Sequence, residues 1–98
     1  MDINEIRSRI DALDDKLLEA FIERMQLAEQ AAEYKLENGL PLEDSQREQA
    51  ILQKVQERVR GMLREDSGEY EPFAREFFST LIRLSKERQL EVSGGQLS

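Results

Sequence analysis

The sequence holds no cysteine, no histidine and no tryptophan. Without cysteine there is no disulfide and no thiolate nucleophile, and the redox compartment stays open. Without histidine there is no imidazole base, and the usual zinc sites are excluded. Aromatics make up 6% and all hydrophobic residues 39%, a thin core for a lone chain. No apolar run approaches the roughly 20 residues of a membrane span. An excess of basic charge is also lacking. The net charge is −7, which argues against a nucleic-acid partner. The charged start, Met1-Asp2-Ile3-Asn4-Glu5, is unlike a signal peptide. The expectation is a cytoplasmic protein with no membrane partner. Any cationic pocket has to be local, built against an acidic background.

Glycine and proline are missing from the first 38 residues; the first of each are Gly39 and Pro41. What fills that stretch is a heptad stripe: Ile3, Ile6, Ile10, Leu13, Leu17, Ala20, Arg24, Leu27, Ala31 and Tyr34. The alternating three-four spacing puts them on one helical face. Nine of the ten are apolar or aromatic, and the tenth is Arg24. At about 1.5 Å per residue the helix runs on the order of 55 Å. One small domain cannot cover that length, so a partner chain is expected to.

Asp2 or Asn4 suits the helix start, and Asn38-Gly39 suits its end. A second helix is expected from Asp44 or Ser45, with Ser45 and Glu48 spaced as a capping box. Ile51, Leu52, Val55, Val59, Met62 and Leu63 give its apolar stripe, and Gly61 weakens its last turn. Arg64 to Glu71 reads as a loop. Pro72 suits the first turn of a third helix, whose apolar face is Phe73, Phe77, Phe78, Leu81, Ile82 and Leu84. The stripe continues from Phe78 and Ile82 into Ser85 and Gln89, so the core face turns polar. No strand pattern and no internal repeat is evident. The reading is all-α: three helices, the first very long. Residues 1–91 would form one domain, and 92–98, with Gly94-Gly95, a flexible tail.

Polar residues on apolar faces mark candidate function. Arg24 and Lys35 lie eleven residues apart, about three turns, and share a face. Two cations there call for anions. The bland alternatives are a core glutamate for Arg24 and a snorkel to water for Lys35. Arg7 flanks the seam, 28 residues before Lys35 and roughly 40 Å away, so in one chain they cannot meet. In an antiparallel helix pair Arg7 would come alongside the far half of the partner helix; otherwise it is a solvated surface charge. Asp44, Arg47 and Glu48 cluster at the second helix start, where capping and a charged first turn are the plain alternative. Ser85 and Gln89 could equally hydrogen-bond within a helical core.

Taken in order, these residues resemble the all-helical class of chorismate mutases over Ile3 to Leu90. The resemblance rests on Ile6-Arg7-Ser8-Arg9-Ile10-Asp11-Ala12-Leu13-Asp14-Asp15-Lys16-Leu17-Leu18, then Glu23 to Ala28, Lys35, and Asp44-Ser45-Gln46-Arg47-Glu48. It ends with Phe78, Ile82, Ser85 and Gln89. It implies an intertwined antiparallel homodimer in which each site takes residues from both chains. It also implies a cofactor-free, metal-free Claisen rearrangement of chorismate to prephenate, on the way to phenylalanine and tyrosine. Arg24 would grip one substrate carboxylate and the partner subunit's Arg7 the other. Lys35 and Gln89 would flank the ether oxygen. Glu48 and the neighbourhood of Asp44 would accept from the ring hydroxyl, with Arg47 and Ser85 completing the contacts. Two rivals are an isochorismate pyruvate lyase, which shares the scaffold and the cations, and a non-catalytic helical dimer. Asp44, Arg47 and Glu48 favour the mutase over the lyase. Arg24 and Gln89 have no use in a purely structural seam.

Overall fold

The computed structural model describes residues 1–94, and they are helical with short connections. Helix α1 spans Ile3–Glu37. The Asp2 carboxylate caps it, Oδ1 accepting from the Glu5 amide at 2.9 Å. With 35 residues and no interior Gly or Pro, it sets the long dimension of the 53 × 28 × 15 Å chain. Asn38 ends it and Gly39 follows at φ +63°, a conformation that glycine adopts without Cβ strain.

Helix α2 spans Ser45–Leu63. Its cap is Asp44, whose Oδ1 accepts from the Arg47 amide at 3.0 Å. The expected Ser45–Glu48 capping box is therefore replaced by a single side-chain cap one residue earlier. A carboxylate is the stronger acceptor at a helix N-terminus, and its use there releases Glu48 to turn elsewhere.

Arg64 to Glu71 is not a loop. Arg64–Asp66 form a 3-10 turn, and helix α3 runs from Ser67 to Val92. Pro72 thus sits inside α3 rather than at its first turn. Proline has no amide to close the bond to the residue four back. Here it lies five residues past Ser67, and the one bond it forgoes is that to the Gly68 carbonyl. Arg60 on α2 pairs with the neighbouring Glu71 at 2.9 Å. The reversal of the chain falls instead on Arg64, at φ 54° and ψ −105°. At the far end Ser93 is 4% exposed and its hydroxyl donates to the Leu90 carbonyl at 3.0 Å. Residues 95–98 of the expected tail lie outside the described residues.

Helix α3 packs against both α1 and α2, which do not pack on each other. Only the C-terminal half of α1 is involved. Every residue from Met1 to Ala20 is exposed, so Ile3, Ile6, Ile10, Leu13 and Leu17 form a bare apolar stripe. Among the described residues the buried hydrophobics are Ala28, Ala32 and Ile82. Small alanines let α1 approach α3 closely, but no large side chain among the described residues is fully buried. No described helix is long and apolar enough to cross a membrane.

Candidate active site

The two packed faces of α3 leave a cavity where its polar end meets α1 and the start of α2. Its volume is about 520 Å3. Arg24 and Lys35 enter from α1, Asp44, Arg47 and Glu48 from the head of α2, and Ser85 and Gln89 from α3. Leu27, Ala28, Ala31, Leu42, Ile51 and Ile82 supply its apolar walls. Seven of the eight residues singled out in the sequence therefore converge. The eighth, Arg7, is exposed on the bare half of α1 and does not line this cavity.

Helical phase explains the convergence. Arg24, Ala28, Ala31 and Lys35 follow one another at four, three and four residues on α1. Ile82, Ser85 and Gln89 do the same at three and four on α3. The alanines draw the helices together, and the longer polar side chains reach into the space at either end.

Among the described residues no Asp or Glu lies within ion-pair distance of Arg24, Lys35 or Arg47. Arg24 instead donates through Nη1 to the Leu81 carbonyl at 3.3 Å. Lys35 Nζ donates to the Leu42 carbonyl at 2.8 Å and to Gln89 Oε1 at 2.9 Å. Burial, and then the like charge of Arg47, hold the Arg24 pKa below its usual value. A half-buried guanidinium facing a second one, both without counter-ions, is a site prepared for an anion.

Gln89 is buried at 7% exposure. The Lys35 contact fixes its amide orientation, because an ammonium can only donate. Nε2 is thus left to donate, and one of its hydrogens goes to Ser85 Oγ at 3.2 Å. A second N–H remains for a ligand. Glu48 is half-buried at the rim and accepts from Lys86 Nζ at 3.3 Å. Asp44 is committed to the α2 cap through Oδ1, which leaves its second oxygen unspent.

The sequence reading missed Lys86 and the backbone carbonyls of Leu42 and Leu81. For Lys86 a signal existed. It lies four residues after Ile82 and three before Gln89, on the same face as the two most buried residues of that end of α3.

The chain thus combines an all-helical fold with a cation-lined cavity, an oriented amide and a rim carboxylate. Residues 6–90 match the family described as Chorismate mutase type II. The chain belongs to that family. It is similar to a chorismate mutase of Methanocaldococcus jannaschii, 41% identical over 51 residues that cover 52% of this chain and 52% of the relative. It is also similar to the T-protein of Haemophilus influenzae, 39% identical over 51 residues, 52% of this chain and 14% of that protein. The match thus spans about half of the first relative's length and far less of the second's. No solved structure matches the chain.

Proposed function

We propose that the chain is a chorismate mutase, rearranging chorismate to prephenate in the formation of phenylalanine and tyrosine. The observation that carries this reading is the trio Arg24, Lys35 and Arg47, without carboxylate partners among the described residues, around a cavity lined also by the oriented Gln89 amide. Chorismate is a dicarboxylate with an ether oxygen and a ring hydroxyl. In the rearrangement the ether carbon–oxygen bond breaks as a carbon–carbon bond forms, and no proton moves. Neither a nucleophile nor an imidazole is required. The protein has to hold the enolpyruvyl arm over the ring and favour negative charge on the ether oxygen.

Arg24 binds one carboxylate through its planar fork. Lys35 donates to the ether oxygen and to a carboxylate, and the free Nε2–H of Gln89 donates to that oxygen from the other side. These two contacts strengthen as charge develops and so act on the transition state more than on the substrate. Glu48, with the spare oxygen of Asp44, accepts from the ring hydroxyl. Arg47 and Ser85 complete the polar shell.

The second carboxylate needs another cation, and the partner subunit's Arg7 supplies it. The chain, with its three helices, pairs as an antiparallel intertwined homodimer, α1 against α1. The bare stripe from Ile3 to Leu17 supports this arrangement, since it leaves large apolar side chains such as Leu13 57% exposed. Ultraviolet absorbance tests the activity. Chorismate absorbance should fall on adding the protein, and acid should convert the product to phenylpyruvate. Isochorismate should be left unchanged. Loss of isochorismate with release of pyruvate would replace the mutase reading by a lyase.

A further inference from the structure

Lys86 does not line the cavity, yet it holds a residue that does. It projects from α3 between two carboxylates. Nζ donates to Glu48 Oε1 at 3.3 Å and to Glu43 Oε1 at 3.1 Å. Glu43 lies in the connection between α1 and α2, next to Leu42, whose carbonyl takes the bond from Lys35. Lysines from α1 and α3 thus grip consecutive residues of this connection, and Asp44 follows as the α2 cap.

We propose that Lys86 is a positioning residue that holds the Glu48 carboxylate at the cavity rim, engaging one oxygen so that the other is presented to the ring hydroxyl. This rests on the reading of the site given under Proposed function. The two carboxylates pull on the ammonium unequally. Glu43 is closer, and with Glu48 it holds the Lys86 pKa above its usual value. But the Glu43 side chain is 72% exposed, and water screens such a pair heavily. The Glu48 side chain is 25% exposed. There the contact acts in a less polar setting and restricts a carboxylate that otherwise has several rotamers. Unheld, Glu48 would turn toward the Arg24, Lys35 and Arg47 cations, which the substrate carboxylates need.

The ring hydroxyl takes no part in bond breaking, so its contact is equally strong in substrate and transition state. Loss of such uniform binding raises KM and leaves kcat alone. Lys86→Met, which keeps the stem and removes the charge, should raise KM for chorismate about tenfold, the order expected for one charge-assisted hydrogen bond. Lys86→Arg should restore most of it. In a Glu48→Gln background Lys86→Met should change KM by less than about twofold, because the group it positions is gone. Glu43→Gln should leave both constants near wild type. An unchanged KM in Lys86→Met, or an equal rise in both backgrounds, overturns the proposal. So does a fall in kcat alone, the signature of structural damage. A second readout needs no turnover. Three-bond side-chain couplings should report one rotamer for Glu48 in wild type and an average in Lys86→Met; identical couplings overturn the tether. Inactivity of the wild type on chorismate would instead sink the functional reading, and the couplings would still decide whether Lys86 holds Glu48.

Discussion

Replacing Gln89 by glutamate asks which atom of this side chain does the work. Gln89 accepts from Lys35 through Oε1 at 2.9 Å and donates to Ser85 through Nε2 at 3.2 Å. Gln89→Glu preserves size and shape, and keeps an oxygen against Lys35. It removes the N–H that should face the ether oxygen and, when ionised, puts an acceptor there. It also neutralises part of the Lys35 charge. Loss of one preorganised donor to a developing oxyanion costs about 10²–10³ in kcat, or ~2.7–4 kcal/mol. Two oxygens left facing each other add to that loss, so at neutral pH the variant should retain on the order of a thousandth of wild-type activity. Acid should reverse the loss, because a protonated carboxyl donates through O–H. Lys35 attracts the ionised form and pulls the new carboxyl pKa down, while burial at this 7% exposed position pushes it up. Where the lysine dominates, the folded-state pKa lies below the unfolded one. The stability gained is then present above the unfolded pKa and lost as pH falls through the folded pKa. Activity should return in that same acid range. Chorismate consumption followed by absorbance from roughly pH 2.5 to pH 8, alongside thermal melts that show where the variant stays folded, covers a carboxyl pKa on either side of its ordinary value. Equal fractional activity across the whole range would mean that Gln89 does not face the ether oxygen.

Light scattering over a dilution series should find a dimer, and a folded, active monomer at micromolar concentration would refute the architecture. Arg7→Ala and Arg24→Ala should each lose most activity as homodimers, since each removes a charge-assisted contact. Refolded together from an equal mixture, about half the dimers are mixed and each carries one intact site, so roughly a quarter of wild-type activity should return. No return, with exchange verified by mass-labelled chains, would place Arg7 outside the partner's site. Asp44→Ala should lower stability by about 1 kcal/mol through loss of the α2 cap, and Asp44→Asn should restore it; calorimetry compares them, and equal melting of both would contradict the cap. Ala32→Leu, at a position 1% exposed, should force α1 from α3 and cost about 1–3 kcal/mol in thermal unfolding.

The long first helix was legible because two independent signals agreed. No helix breaker occurs before Gly39, and the apolar spacing holds its phase throughout. Arg24, Lys35, Ser85 and Gln89 were legible as polar residues in otherwise apolar phases, and the structure brings them together. What escaped notice depended on choices between near-equal local options. Asp44 and Ser45 are both good caps, and only the folded backbone shows that the aspartate takes the position. Pro72 is a common helix starter, so it drew the boundary of α3 five residues too late; Ser67 and Gly68 looked like a turn but lie in the helix. Lys86 resembled a surface lysine because its two carboxylates come from elements distant in sequence. Arg7 could be excluded from its own chain's cavity by reach alone, since it precedes Arg24 by 17 residues, roughly 25 Å along a straight helix.

Proton spectra of chorismate incubated with wild-type protein and with Lys35→Ala decide whether the chain rearranges chorismate through Lys35. Wild type should convert chorismate to prephenate as the sole product, with no pyruvate signal. Lys35→Ala, which leaves Arg24 and Arg47 in place but removes the donor to the ether oxygen, should slow that conversion by about 10²-fold or more. Chorismate unchanged by wild type beyond its spontaneous rate, or equal conversion by the variant, would contradict the account.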